Sequence, residues 1–181
     1  MFISDSKLCP VTAQDLDFWS FVDAAVDRVH GRLPGIDAEA TRLILTLYRV
    51  TNMVVYDMES VVHRPRGWSY PGFRLLFTLW VAGPMEAKRA AELSGMSRQA
   101  VSALVNTLNR EGLVSKEPDE NDRRAVRLSL TVKGEDAITE AFTAHNAREM
   151  LWADALSADE RETLIRLLGK LGAREGVRRR R

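Results

Sequence analysis

MEAKRAAELSGMSRQAVSALVNTLNREGLVSKEPDENDRRAVRLSL, residues 85–130, changes its hydrophobic period partway along. Up to Glu111 the apolar residues recur every three or four positions, the spacing of an amphipathic helix. Residues 86–93 read as one short helix and residues 97–111 as a second, joined by the turn Ser94-Gly95-Met96. Gly112 ends the second helix, since glycine enters the left-handed backbone of a C-terminal cap without a side-chain clash. From Leu113 the period falls to two. Residues 113–117 form one strand, and Val126, Leu128 and Leu130 alternate with Arg127 and Ser129 in another. The polar stretch 118–124 between them is a hairpin tip. Two helices about a tight glycine turn, followed by a hairpin, make a winged helix-turn-helix pattern.

The second helix divides its side chains by chemistry. Val101, Leu104, Val105 and Leu108 share the inward face, while Gln99, Ser102, Ala103, Asn106 and Arg110 lie away from it. Gln and Asn can pair with adenine edges in a major groove, and Arg with guanine. Ser97 and Arg98 stand at the first turn, where a helix N-terminus favours a phosphate. A solvated polar face on an ordinary amphipathic helix explains the same residues. The hairpin tip adds Arg123 and Arg124, which suit the negative potential of a minor groove. Neighbouring acids, Asp122 among them, can hold the arginines extended.

Outward from this block, both flanks read as helical. Thr12 with Asp15 signals a helix to about Arg32, ended by Pro34-Gly35. Asp37 caps a long helix to about Arg64 that is apolar on all but one stripe and therefore needs cover on more than one side. Residues 63–68 form a turn, and Ser69 caps a helix that stops at Gly83-Pro84. Helices over about 132–155 and 158–172 follow, the latter opened by the capping box Ser157–Glu160. The expected fold is mainly α. It comprises helices for dimerisation and a pocket wall over residues 1–68, a winged helix-turn-helix over 69–131, and dimerisation helices with a basic tail over 132–181.

Composition excludes more than it identifies. Hydrophobic residues at 45% and charged residues at 28% are ordinary for a chain that buries a core. No apolar run approaches the roughly 18 residues that cross a bilayer, so no membrane partner is expected. The start MFISDSKLCP does not read as a secretory signal. One cysteine, Cys9, rules out an internal disulfide framework and fits a reducing cytoplasm. His30, His63 and His145 are scattered without ligand spacing. With no nucleophile elbow, P-loop or dinucleotide fingerprint either, no enzyme, metal or cofactor is expected. Net charge is only +1, so DNA affinity must come from local clusters. The tail Arg178–Arg181 is one, or else a solubilising end.

Residues 75–134 resemble the MarR family, the multiple-antibiotic-resistance regulators. RAAELSGMSRQAVSALVNTLNREGLV at residues 89–114, DRR at 122–124 and LTVKGE at 130–135 carry the likeness. The resemblance implies a homodimer intertwined through terminal helices and bound to a double-stranded operator. Asp122 would support the wing and Arg124 would contact the minor groove. Where many members carry arginine in the recognition helix this chain has Ala103, which shifts base contacts toward Arg98, Gln99 and Asn106.

Many relatives release DNA on binding a small aromatic or anionic compound. Trp19 on an extra N-terminal helix and the stretch 72–80 resemble a urate-responsive subgroup. However, Arg74 stands where that subgroup has an aspartate, and Lys116 is the nearest match to its other basic pocket residues, so urate is not expected. Trp19, Trp68, Arg74 and Trp80 are the candidate effector contacts. Arg74 suits a carboxylate or phenolate, or pairs internally with Asp57 or Glu59. Two rival readings remain: a winged module that binds proteins instead of DNA, and a peroxide-sensing repressor acting through Cys9. The second is weakened because Cys9 precedes Pro10 outside the first helix.

Overall fold

Most of the helices begin where a short polar side chain can accept the free backbone N–H groups of the first turn. A computed structural model describes residues 14–118 and 126–173. It divides into two units, Met1–Val55 and Tyr56–Arg181. In the first, Asp17 Oδ1 accepts from the backbone of Trp19 and Ser20 and opens α1 (Ser20–Arg32). The helix thus starts later than the Thr12–Asp15 signal suggests, and Thr12 itself lies outside the described residues. Helix α1 buries Val22 and Val26. Asp37 Oδ1 accepts from Ala40 N and opens α2 (Ala38–Met58) as expected. Leu43, Ile44 and Tyr48 on α2 remain exposed.

The second unit departs from the expected straight helix to Arg64. The chain widens into a π turn at Glu59–His63 and tightens into a 3₁₀ turn at Arg64–Arg66, and Gly67 then adopts φ 79°. The widened turn carries Val62 and His63 into the interior. Pro65 fits the tight turn because it has no N–H to offer a longer helix. Ser69 Oγ accepts from Gly72 N and caps α3 (Tyr70–Ala82).

Helix α3 is the centre of this unit. It buries Phe73, Leu75, Leu76 and Leu79 against α4 (Ala87–Ser94), α5 (Arg98–Arg110) and α6 (Val132–Ala153). Leu75, Leu76, Val101 and Ile138 are almost wholly excluded from water, each burial stabilising by about 1.5–3 kcal/mol. A small antiparallel sheet closes one side, in the order β1 (Met85–Glu86), β3 (Val126–Leu130), β2 (Val114–Pro118). Val114 pairs with Leu130 and Pro118 with Val126. The hairpin is as expected; β1 was not.

Thr131 caps α6 through Gly134 N, and its hydroxyl also donates to the Gly112 carbonyl. Gly134 is forced here, because a Cβ would collide with the Leu113 carbonyl. Asp57 fastens the end of α2 to α6, accepting from Arg148 Nε and Nη2 at 2.7 Å each and from Trp152 Nε1 at 2.8 Å. Both members of the Ser157–Glu160 capping box form at the start of α7 (Ala158–Gly172), which buries no residue.

Candidate nucleic-acid interface

The turn between α4 and α5 sets the geometry. Gly95 sits at φ 67° and its N–H bonds to the Ala91 and Glu92 carbonyls, so the chain reverses within three residues. Ser97 then accepts from Ala100 N at 3.1 Å, leaving the other N–H groups of the first turn of α5 unblocked at the surface. Helix α5 buries Val101, Val105 and Leu108 against the core. Ser97, Arg98, Gln99, Ser102, Ala103, Asn106 and Arg110 are all exposed, as the helical period predicts.

Beside the N-terminus of α5 lies an open cavity of about 650 Å³ lined by Lys88, Glu92, Ser97 and Arg98, among others. Arg89 engages Glu92 at 3.1 Å. Two cations and a helix N-terminus therefore face the opening, an arrangement suited to a phosphate. At its other end α5 is tied to the hairpin. Lys116 Nζ donates to Asn106 Oδ1 at 2.6 Å, and Asn109 Nδ2 donates to the Val114 carbonyl at 2.8 Å. Lys116 therefore serves the helix and takes no part in the cavity beside Arg74. Asp122, Arg123 and Arg124, together with Cys9 and the arginine tail, lie outside the described residues.

The candidate effector contacts do not gather in one place. Arg74 borders a cavity of about 460 Å³ walled by Tyr70, Phe73, Phe77, Phe142, His145 and Glu149, among others. Trp68 is in the core and lines a separate cavity with Arg66, Lys133 and Glu140. Trp80 packs behind the first cavity on Phe77 and Phe142, at 6.2 and 5.5 Å between ring centroids. Trp19 belongs to the first unit, exposed, with its ring edge-on to Phe18. The internal pairing of Arg74 with an acid such as Asp57 or Glu59, the alternative to an effector contact, does not form with either of these two. Asp57 is held by Arg148 and Trp152, and Glu59 by Arg64 and the Tyr70 N–H. Arg74 donates instead to the Ser94 carbonyl at the end of α4 and lies over the Tyr70 ring.

Sequence reasoning missed the histidines of this region. His63 and His145, read as scattered, meet ring to ring with Nε2 of His63 3.2 Å from Nδ1 of His145. The one signal was position: His145 falls on the inward stripe of α6 with Ile138 and Ala141.

A profile of the MarR family matches residues 68–126. Among curated proteins, the uncharacterized HTH-type transcriptional regulator YwaE of Bacillus subtilis is 32% identical over 136 residues, covering 75% of this chain and 80% of the relative. The HTH-type transcriptional regulator MgrA of Staphylococcus aureus is 30% identical over 130 residues, covering 72% of this chain and 87% of the relative. Among solved structures, a mutant MarR from E. coli complexed with operator DNA aligns with a TM-score of 0.62 and 23% identity, covering 71% of this chain and 94% of that one. PcaV from Streptomyces coelicolor, in complex with its natural ligand, aligns with a TM-score of 0.62 and 21% identity, covering 76% and 96%. These structural likenesses speak for the fold: mainly helical, with a winged helix-turn-helix.

Proposed function

The chain belongs to the MarR family of DNA-binding transcriptional regulators, and from this we propose that it binds a pseudopalindromic operator as a homodimer and represses until a small aromatic or anionic effector releases it. The observation that carries the DNA contact is the surface of α5. Arg98, Gln99, Ser102, Asn106 and Arg110 stand exposed over a buried apolar face, beside a cavity with Lys88 and Arg98 at the helix N-terminus. Phosphates at that N-terminus would fix register, and the side chains along the helix would meet base edges. Arg123 and Arg124, supported by Asp122, would enter the adjacent minor groove. The working division is residues 1–68 and 132–181 for dimerisation and 69–131 for DNA, in the cytoplasm.

Relief by an effector rests on Arg74. Aromatic rings wall its cavity, and one guanidinium supplies the oriented charge that a carboxylate needs. Arg74 also holds the Ser94 carbonyl, immediately before the turn into α5. An acid that draws Arg74 into the cavity would therefore act on the placement of α5, which gives the ligand different affinities for two arrangements of the lobe. A gel shift with the DNA flanking the chain's own gene, with and without an aromatic carboxylate, tests both steps. Absence of any shift would defeat the operator reading; a shift indifferent to every aromatic acid would defeat the effector reading.

A further inference from the structure

The most deeply buried polar group of the second unit takes no part in the DNA-facing surface. His63, closing the π turn, is fully buried, and His145 on α6 is nearly so. Their rings stack with centroids 5.2 Å apart. Phe73 of α3 lies against both, at 4.3 and 4.5 Å. On the far side, His145 Nε2 meets Glu149 Oε1 at 3.2 Å. Nδ1 of His63 is buried and finds no hydrogen-bond partner among the described residues.

These contacts dictate where the hydrogens sit. A carboxylate only accepts, so His145 carries its hydrogen on Nε2 toward Glu149. A neutral His145 then accepts at Nδ1, and His63 donates to it from Nε2. His63 Nδ1 is left as a bare nitrogen. The couple holds two ring hydrogens, one toward Glu149 and one shared between the rings. A third has a single vacant place, His63 Nδ1, wherever it first arrives. There it would create a buried N–H on a buried cation with nothing to accept it, which is costly.

The surrounding charges relieve this only in part, because burial outweighs the pull of Glu59 on His63 and of Glu149 on His145. Glu59 lies on the same turn but is engaged by Arg64 and the Tyr70 N–H. Arg66, also nearby, opposes a second positive charge and is paired with Glu140 of α6. From α3, Tyr70 stacks on His63 and Arg74 borders the cavity that His145 helps to line. Burial, then the neighbouring His145, pulls His63 down from 6.5 to about 4. Burial also lowers His145, against the opposing pull of Glu149.

We propose that the His63–His145 couple is an acid sensor: on mild acidification it takes a third ring proton by breaking the ring-to-ring hydrogen bond, which frees the Glu59–His63 turn from α6. The opened form binds the proton better, so the closed form is favoured above the ordinary imidazole range. It loses ground as pH falls from about 6.5 toward about 4. Between pH 6.5 and 5.5 the opened form should gain about fivefold. Helix α3 carries Phe73 against the couple and, next to it, Arg74 on the Ser94 carbonyl. Opening therefore reaches the helix-turn-helix, a last step that rests on the operator reading proposed for α5.

Amide hydrogen exchange on the full chain at pH 6.5 and 5.5, corrected for intrinsic rates, tests the sensor. The opening equilibrium of Glu59–His63 and the facing turn of α6 should rise about fivefold. It should stay level in His63→Phe combined with His145→Gln, which keeps a ring on Phe73 and removes every titrating nitrogen of the couple. If that variant does not fold, His63→Gln combined with His145→Gln keeps a hydrogen-bonding pair between the turn and α6 and serves instead. A level wild type, or a rise that persists in the variant, would overturn the sensor. Operator affinity measured at the same two pH values should fall in the wild type only. If exchange rises while affinity holds, the transmission step fails. If no DNA binds at any pH, the operator reading and that step fail together, and exchange still decides the sensor.

Discussion

On α5, the amide oxygen of Asn106 faces Nζ of Lys116, and a lysine can only donate. The atom left for a base edge is Nδ2, a donor. A lone donor reads any acceptor, whether guanine O6 or N7, thymine O4 or adenine N7, whereas the two-pronged adenine contact that singles out adenine needs the oxygen as well. The adenine pairing expected from residue type alone is therefore narrowed by a neighbour on another element. Lys116→Met should free the amide and raise adenine at the base beneath Asn106, a change of about 1 kcal/mol in discrimination. Selection from a randomised duplex pool measures it, and an unaltered base profile would show that Lys116 orients nothing. Arg74 gives a second residue-level prediction. Arg74→Ala removes the bond to the Ser94 carbonyl, so it should cost about 1 kcal/mol of stability. It should also abolish release by an aromatic carboxylate, which in the wild type should weaken operator binding by about 5- to 150-fold. Loss of stability with the response intact would make Arg74 a structural group alone. Which face of α5 is polar was legible from helical period; what each polar atom meets was not, because Lys116 lies across a turn that the period does not describe.

At the level of elements, the joint between the end of α5 and α6 is tighter than any side chain allows. Gly134 packs onto the Leu113 carbonyl, where a Cβ has no room. Gly134→Ala should displace the start of α6 and cost roughly 3 kcal/mol, read from the urea midpoint. A change under a few tenths would mean that the helix start yields freely. The Asp57 clamp differs, since it is electrostatic and partly solvated. Asp57→Ala should cost about 2 kcal/mol. Hydrogen bonds from Arg148 hold the Asp57 carboxyl below its usual range, so this contribution is present above the ordinary carboxylate value and fades as pH falls through the lowered one. Urea titrations of wild type and variant should converge in strong acid. The capping residues Asp37, Ser69 and Ser157 could be read directly, because a cap is a local bond between near neighbours. Strand β1 could not: two residues show no alternation, and Met85–Glu86 becomes a strand only because β3 lies beside it. The π turn escaped for a similar reason. Nothing local marks it, and the interior place it gives His63 depends on Phe73 and His145.

For the whole molecule the question is what covers α7. Leu164, Ile165, Leu167, Leu168 and Leu171 expose between 40% and 70% of their surface, and α7 buries no residue within its unit. Isolated exposed leucines are ordinary, but a contiguous run on one helix marks a contact surface. A second copy is the occupant we propose, since a self-complementary two-fold contact is the commonest solution for such a face. Two recognition helices related by that axis would address half-sites about 10 to 10.5 base pairs apart. Light scattering at micromolar concentration should give twice the chain mass. Ile165→Glu with Leu168→Glu should give a monomer that still folds, because neither side chain supports the core of its own chain. That monomer should lose most of its operator affinity, since each lobe alone keeps only half of the phosphate and base contacts. Arg124→Ala in the dimer should act differently: affinity falls evenly across sequences, and the salt slope drops by roughly one unit for each phosphate no longer neutralised. A monomeric wild type would sink the symmetric-operator argument. A charged α7 that still dimerised would move the interface to another face, and a double-glutamate monomer with unchanged operator affinity would detach DNA recognition from dimerisation.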